Sequence, residues 1–432
     1  MSELIPVPGN VEVKDIPAVP NRDVDILFVV DNSGSMEAEQ ASLLANFGRF
    51  MSVLETIEGG LPNIHVAVVT SNMGQSATDG VGTASFGTAC ANKGDDGVMR
   101  TAPSLFNGHF IVDEEGSGGT RNRNYTGTLS DAFSAIANVG TMGCGIEQHL
   151  ASMKRSLENP LNAGFLRKDA KLAVIVIGDE DDCSLAHKSL FEGTTNGTVV
   201  NFRCTQGNIE CDDDPGLTTA GEHRNCHPKE PSTYLESLDT YSDFLRTLKT
   251  DPDKDVIVAG IVGDPEPFKL AADAASGMTI LAPSCTYGDQ NAFPAVRTSD
   301  FFTRFPLSVQ TTICGADLSR PLVEIAALLK RSFGDPCFAN QVADLDPNAA
   351  GLQPECTVTD VREAGGVETQ LGVLPQCTGS NIPCWRIEVD AAKCNYTEFH
   401  QKLVIDRGGV VPPSDVHIKV NCVTVDSTGP VM

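Results

Sequence analysis

The sequence predicts an α/β fold: a doubly wound, mostly parallel sheet with long disulfide-stapled insertions, followed by a small C-terminal β domain. Three observations predict it. Four apolar runs rich in β-branched residues, ILFVV at 26–30, IHVAVV at 64–69, LAVIVI at 172–177 and VIVAGIV at 256–262, read as strands buried on both faces. Apolar residues recur at helical spacing between these runs, and helices alternating with buried strands build parallel sheets. Most of the fourteen cysteines fall where that alternation breaks down.

Taken in order, residues 1–22 carry prolines at 6, 8, 17 and 20 and read as an extended N-terminal linker. The α/β domain spans 23–335. After its first strand, Leu43, Leu44, Phe47, Phe50, Met51, Leu54 and Ile57 mark a helix stopped by Gly59-Gly60. Residues 71–130, rich in Gly, Ser, Thr and Asn, and residues 183–231, with Cys183, Cys204, Cys211 and Cys226, read as two long insertions over one sheet edge. Ile146, Leu150, Met153 and Leu157 mark a helix before Pro160. Another, near 232–249, carries Tyr234, Leu235, Leu238, Tyr241, Leu245 and Leu248. The helix LSRPLVEIAALLKRSFG closes the domain. Beyond it, 336–432 holds short alternating strands among Cys356, Cys377, Cys384, Cys394 and Cys422, a cysteine-rich β domain or extension.

With 57 acidic against 31 basic residues and a formal charge of −26, the chain repels nucleic acid and anionic lipid headgroups. No run is long enough to cross a membrane. An even cysteine count without a repeated CxxC pair points to disulfides and an oxidising compartment. The start, MSELIPVPGN, has neither a basic n-region nor an apolar h-region, so the reading is that an export signal has been removed. The expected pairings are Cys90 with Cys144, stapling the first insertion to the Thr141 loop, and Cys204 with Cys211, which are close in sequence.

The stretch DNSGSM, 31–36, follows the first strand and delivers the oxygens of Asp31, Ser33 and Ser35 into one tight turn beyond the carboxyl end of the sheet, where ligands of such folds bind. Ser35 could simply cap the following helix. Capping leaves Asp31 unexplained, whereas three hard oxygens suit a hard cation such as Mg²⁺ or Mn²⁺, with Ca²⁺ also conceivable.

After that strand, DNSGSM resembles the DxSxS signature of von Willebrand factor A (integrin I-like) domains. The resemblance implies a metal-ion-dependent adhesion site completed by Thr141, in VGTMGCGIEQHL, and Asp179, in LAVIVIGDEDD. By that resemblance Ser33, Ser35 and Thr141 are direct ligands, and Asp31 and Asp179 act directly or through water. Gly178 departs from the family, which often has Thr there. The acids that follow, Glu180, Asp181 and Asp182, are either a solvated loop or a secondary cation site. NAGFLRKDAKLAVIVIGDEDDCS and the GCG after Thr141 are similar to exported cysteine-rich A-domain proteins of Gram-negative bacteria, some lipid-anchored and some surface adhesins in gliding motility.

The function expected from this reading is not enzymatic. DNSGSM is not a GxSxG nucleophile elbow, and His223, Cys226 and His227 with Cys204 and Cys211 are better explained by disulfides than by zinc. The expectation is an extracytoplasmic adhesion or ligand-binding protein, secreted or anchored at the cell surface or outer membrane. Its partner offers a carboxylate to the bound cation. The alternatives are a scaffold contacting other envelope proteins, with the metal incidental, and an accessory subunit for a separate ATPase, since this chain has no phosphate-binding GxxxxGK[ST] loop.

Overall fold

The computed structural model describes residues 10–425, apart from 19–20, 58–59, 84–86, 193–196, 274–276, 335, 347, 350, 365–366, 380, 392, 395–396, 411 and 414–415. The chain divides into two compact units. One comprises Asp23–Leu54 and Pro62–Leu329; the other takes the residues before 23, Glu55–Leu61, and those from Lys330 onward.

The larger unit is mixed α/β, built on a seven-stranded sheet. Its strand order is Ser308–Thr312, Val256–Val262, Lys171–Ile177, Asp23–Val30, Asn63–Thr70, Ile111–Glu115, Arg121–Arg123. The first five run parallel and the last two are added antiparallel. Thus all four apolar runs are strands, and those at 171–177 and 256–262 are buried at every position. The alternation of side chains along Asp23–Val30 feeds two cores. Leu27 and Val29 pack in one with Leu150, Met153, Tyr241, Leu245 and Phe301. Phe28 turns the other way and meets Phe47, Phe50 and Phe133 edge-on at centroid distances of 6.2, 5.9 and 5.0 Å, contacts worth about 0.5–1.5 kcal/mol each beyond burial.

Helices form where the apolar spacing places them, with shifted ends. Glu37–Leu54 buries Leu43, Phe47, Phe50, Met51 and Leu54. The helix expected near 232–249 is shorter, Leu238–Thr247, because Ser237 caps it by accepting from the Asp239 N–H. Leu235 instead bridges to Leu185. The first insertion is not wholly a loop over the sheet edge: Ile111–Glu115 and Arg121–Arg123 widen the sheet. The buried Asp113 at that edge is held by Arg121 at 2.6 Å and Arg123 at 3.2 Å.

The smaller unit has a four-stranded antiparallel sheet in the order Val11–Pro17, Val416–Val423, Cys356–Ala364, Val367–Leu374. The expected N-terminal linker is therefore corrected over residues 11–17. Its alternation, with Ile16 buried and Val11 and Val13 exposed, lets it pair along the Val416–Val423 strand despite the flanking prolines. Trp385 and Leu403, from the hairpin of Cys384–Val389 and Gln401–Asp406, join Ile16, Phe338, Val358 and Val420 in one core.

All fourteen cysteines are paired: Cys90–Cys144, Cys183–Cys204, Cys211–Cys226, Cys285–Cys314, Cys337–Cys394, Cys356–Cys422 and Cys377–Cys384. The expected Cys204–Cys211 pair is replaced, because antiparallel pairing of Ile209–Cys211 with Cys226–Pro228 sets Cys211 directly opposite Cys226. Maleimide labelling of unfolded, unreduced protein should modify essentially no cysteine, and peptide mapping should return Cys183–Cys204 and Cys211–Cys226. Recovery of a Cys204–Cys211 peptide would contradict the fold of the second insertion.

Candidate metal-ion site

The site grows from the carboxyl edge of the parallel sheet. The Asp31 N–H continues the ladder by donating to Ile177 O at 2.8 Å, Ser71 N donates to Val30 O at 3.1 Å, and Gly178 N donates to Ile261 O at 3.2 Å. Three neighbouring strands therefore end level, and Asp31, Ser71 and Asp179 gather there. Asp31 fixes the turn that follows it: Oδ1 accepts from Ser33 N at 2.7 Å and from Ser71 Oγ at 3.3 Å, and Oδ2 accepts from Ser33 Oγ at 3.2 Å. Ser33 and Ser35 lie hydroxyl to hydroxyl at 3.0 Å. Asp179 lies beside them, near enough for Ser35 and Asp31 to act on its carboxyl and for it to act on that of Asp31.

Thr141 is placed by its loop. Gln40 Nε2 donates to Asp31 O at 3.0 Å and to Gly140 O at 2.8 Å, and Gly143 N donates to Asn32 O at 2.8 Å. Gly143 is required by this approach, since a Cβ there would stand 2.1 Å from Asn32 Oδ1. The structure thus joins Asp31, Ser33 and Ser35 by side-chain hydrogen bonds, sets Asp179 beside them and ties the Thr141 loop to the same turn. Ser71 and Gln40 also belong to the constellation and were not singled out from sequence. The signal for Ser71 was its place just after the second strand; Gln40 offered none beyond its helix.

Charge distinguishes this edge from the rest of the molecule. Asp31 is 0 % exposed, Asp179 2 % and Glu147 3 %. Burial pushes the Asp31 carboxyl well above the usual range, reinforced by Asp179 and Glu180. Burial also raises Asp179, though Ser35 and Asp31 oppose it. Glu147 is pushed well up by burial and then by Glu180 beside it, and Glu180 is raised by burial. Asp179 Oδ1 and Glu147 Oε1 have no hydrogen-bond partner among the described residues. By contrast Asp25, equally enclosed, meets Arg167 Nε at 2.7 Å, and that guanidinium opposes the effect of burial. Among the described residues no arginine or lysine lowers Asp31, Asp179, Glu180 or Glu147 as Arg167 lowers Asp25.

Buried charges are paired, neutralised or bound to a metal. This donor set, carboxylates with serine hydroxyls, fits a hard oxygen-seeking cation. Among the described residues no group of three or more His, Cys, Asp or Glu is arranged to hold a metal, so any such site here draws on the hydroxyls as well.

The expected secondary acidic site does not form as a triad. Asp181 accepts from Arg297 N at 2.8 Å, Thr298 N at 3.0 Å and Thr298 Oγ1 at 2.9 Å, holding the start of the Val296–Thr303 helix. Asp182 accepts from Leu150 N at 3.0 Å, near the start of His149–Glu158, and from Ser184 Oγ at 2.6 Å. Backbone N–H groups at helix starts want such acceptors, so two of the three acids are consumed structurally. Glu180 alone joins the cluster.

His149 explains Gly178. The imidazole is fully buried, and burial lowers its pKa to about 4, so it is neutral at neutral pH. A Cβ on Gly178 would lie 2.6 Å from His149 Nε2. The position that resembling domains often fill with Thr is here filled by this ring.

No known protein family and no curated protein matches the chain. Among solved structures it is similar to the conserved hypothetical protein BatB of Bacteroides thetaiotaomicron, with 12 % identity over 72 % of this chain and 98 % of that one and a TM-score of 0.26. It is also similar to the pilus adhesin RrgA of Streptococcus pneumoniae, with 12 % identity over 97 % of this chain and 58 % of that one and a TM-score of 0.27. The type V pili tip protein Mfa5 of Porphyromonas gingivalis shares 11 % identity over 97 % of this chain and 69 % of its three N-terminal domains, with a TM-score of 0.29.

Gly178→Thr should destabilise the protein by about 1–3 kcal/mol through overpacking, and His149→Ala in the same chain should recover part of that loss. Urea unfolding of the two single variants and the double variant checks it; strictly additive losses would show that the ring and the glycine are not coupled.

Proposed function

We propose that the protein is an extracytoplasmic, cation-dependent binding protein. In this reading it takes up a carboxylate-bearing partner or surface at a Mg²⁺ or Mn²⁺ site formed by Asp31, Ser33, Ser35, Thr141 and Asp179, on a doubly wound sheet of the von Willebrand factor A type. The observation that carries the reading is the enclosed Asp31 and Asp179 pair, set against two serine hydroxyls with no basic side chain among the described residues to balance it.

A bound Mg²⁺ or Mn²⁺ would supply a positive centre with a coordination position left for a carboxylate oxygen. The chain's own part is to preorganise the donors. Asp31 holds the Ser33 hydroxyl, which in turn meets that of Ser35, on one side, and Gln40 and Gly143 hold the Thr141 loop on the other. Ser33, Ser35 and Thr141 are neutral, so only Asp31 and Asp179 offset the cation's charge among the five. That matters in a chain of net charge −26, which otherwise repels acidic ligands. Seven disulfides support an oxidising, extracytoplasmic setting. Display at a bacterial cell surface, as an adhesin, belongs to the same proposal.

Asp31→Asn gives a test whose sign depends on the cation. In EDTA at neutral pH the variant should be at least as stable as the wild type, because it removes a desolvated charge while an amide oxygen can still accept from Ser33 N. In Mg²⁺ or Mn²⁺ at a hundred times Kd the wild type should gain about 2.7 kcal/mol that the variant lacks. Calorimetric titration and thermal unfolding with and without the cation measure both arms. A wild type that takes up neither ion, or a variant that responds equally, would sink the proposal.

A further inference from the structure

Beside the candidate cation site lies a cavity of ≈ 280 Å³. Its near wall is made by the loops that carry Thr141 and Asp179: Gly145, Ile146 and Glu147 continue the first, and Glu180 to Cys183 continue the second. The second insertion adds Phe202, Cys204 and Thr205 of the Gly197–Gln206 helix, which the Cys183–Cys204 bond ties to the Asp179 loop. Phe268, Ile280, Leu281 and Phe293 complete an apolar lining, and the Phe293 N–H donates to the Asp179 carbonyl at 2.7 Å, so cavity and site share a backbone contact. Two polar residues in this lining keep unpartnered atoms among the described residues: Glu147, 3 % exposed, at Oε1, and Arg297, 1 % exposed, at Nε and Nη1.

We infer that this cavity receives a tyrosine or tryptophan side chain from the same partner segment whose carboxylate meets the cation site. The inference rests on the cation reading for the carboxylate half only. The volume lies just under the roughly 300–1,000 Å³ of pockets for larger ligands, which suits a single bulky side chain. The apolar and aromatic side chains favour an aromatic ring, and the unpartnered Glu147 oxygen calls for a ring that ends in a donor, which phenylalanine lacks and tyrosine and tryptophan have; a tyrosine hydroxyl can in addition accept from Arg297. Continuity with the Asp179 strand end puts both halves within reach of one short peptide.

The probes are acetyl-Asp-Gly-Tyr-amide, acetyl-Asp-Gly-Ala-amide and acetyl-Asn-Gly-Tyr-amide, titrated by NMR into the full chain with saturating Mg²⁺. The tyrosine peptide should bind about 10- to 100-fold more tightly than the alanine peptide, the gain expected from burying one large side chain. Ile280→Trp fills the cavity from a half-buried position. It should erase that advantage while leaving the Mg²⁺ titration and the alanine peptide unchanged. Equal binding of the tyrosine and alanine peptides, an advantage that survives Ile280→Trp, or no binding of any peptide overturns the inference. Equal binding of the Asp and Asn peptides, with the tyrosine advantage intact, would instead overturn the cation reading and leave the cavity assignment standing.

Discussion

The arrangement of this protein turns on carboxylates held out of water with no cationic partner among the described residues. A parallel sheet ends all its strands on one edge, and here that edge delivers Asp31 and Asp179 into an enclosed space already shared with Glu147 and Glu180. Elsewhere the fold avoids such a state: Asp25 has Arg167, Asp113 has Arg121 and Arg123, and Asp360 has Arg407. Uncompensated buried charge costs several kcal/mol per ion. Its concentration at one strand edge is therefore the feature the surrounding loops are built around.

Those loops would be poor supports if they were free. The donors come from separate segments, around Asp31, Thr141 and Asp179, joined by long connections that are ordinarily mobile. Cross-links change that. Cys90–Cys144 fastens the first insertion two residues beyond Met142, and Cys183–Cys204 fastens the second four residues beyond Asp179. Hydrogen bonds then set the fine geometry, Gln40 bridging Asp31 to Gly140 and Gly143 lying against Asn32. Preorganisation of this kind lowers the ordering cost of binding.

The acidic run 179–182 shows how one short sequence can serve unlike ends. Asp179 faces the serines and Glu180 faces Glu147, while Asp181 and Asp182 satisfy the starts of two helices. Side chains leaving an irregular loop point in successive directions, so neighbours in sequence need not share a site. The same loop contributes a wall to the adjacent cavity.

Much was legible from sequence because it rests on local or periodic physics. Apolar runs of β-branched residues identified the four central strands, helical spacing located the first helix through Leu43, Phe47 and Phe50, and the hydroxyl and acid pattern of DNSGSM marked the strand end where Ser33, Ser35 and Asp31 meet. An even cysteine count anticipated complete pairing, but which cysteines pair was decided by strand register at Cys211 and Cys226. Only the tertiary structure recruited Ser71 and Gln40, turned Asp181 and Asp182 into caps, set His149 against Gly178 and drew residues 11–17 into a sheet with 416–423. Propensity and periodicity act over a few neighbouring residues, whereas register, burial and the direction of a loop side chain are fixed by contacts between segments far apart in the chain.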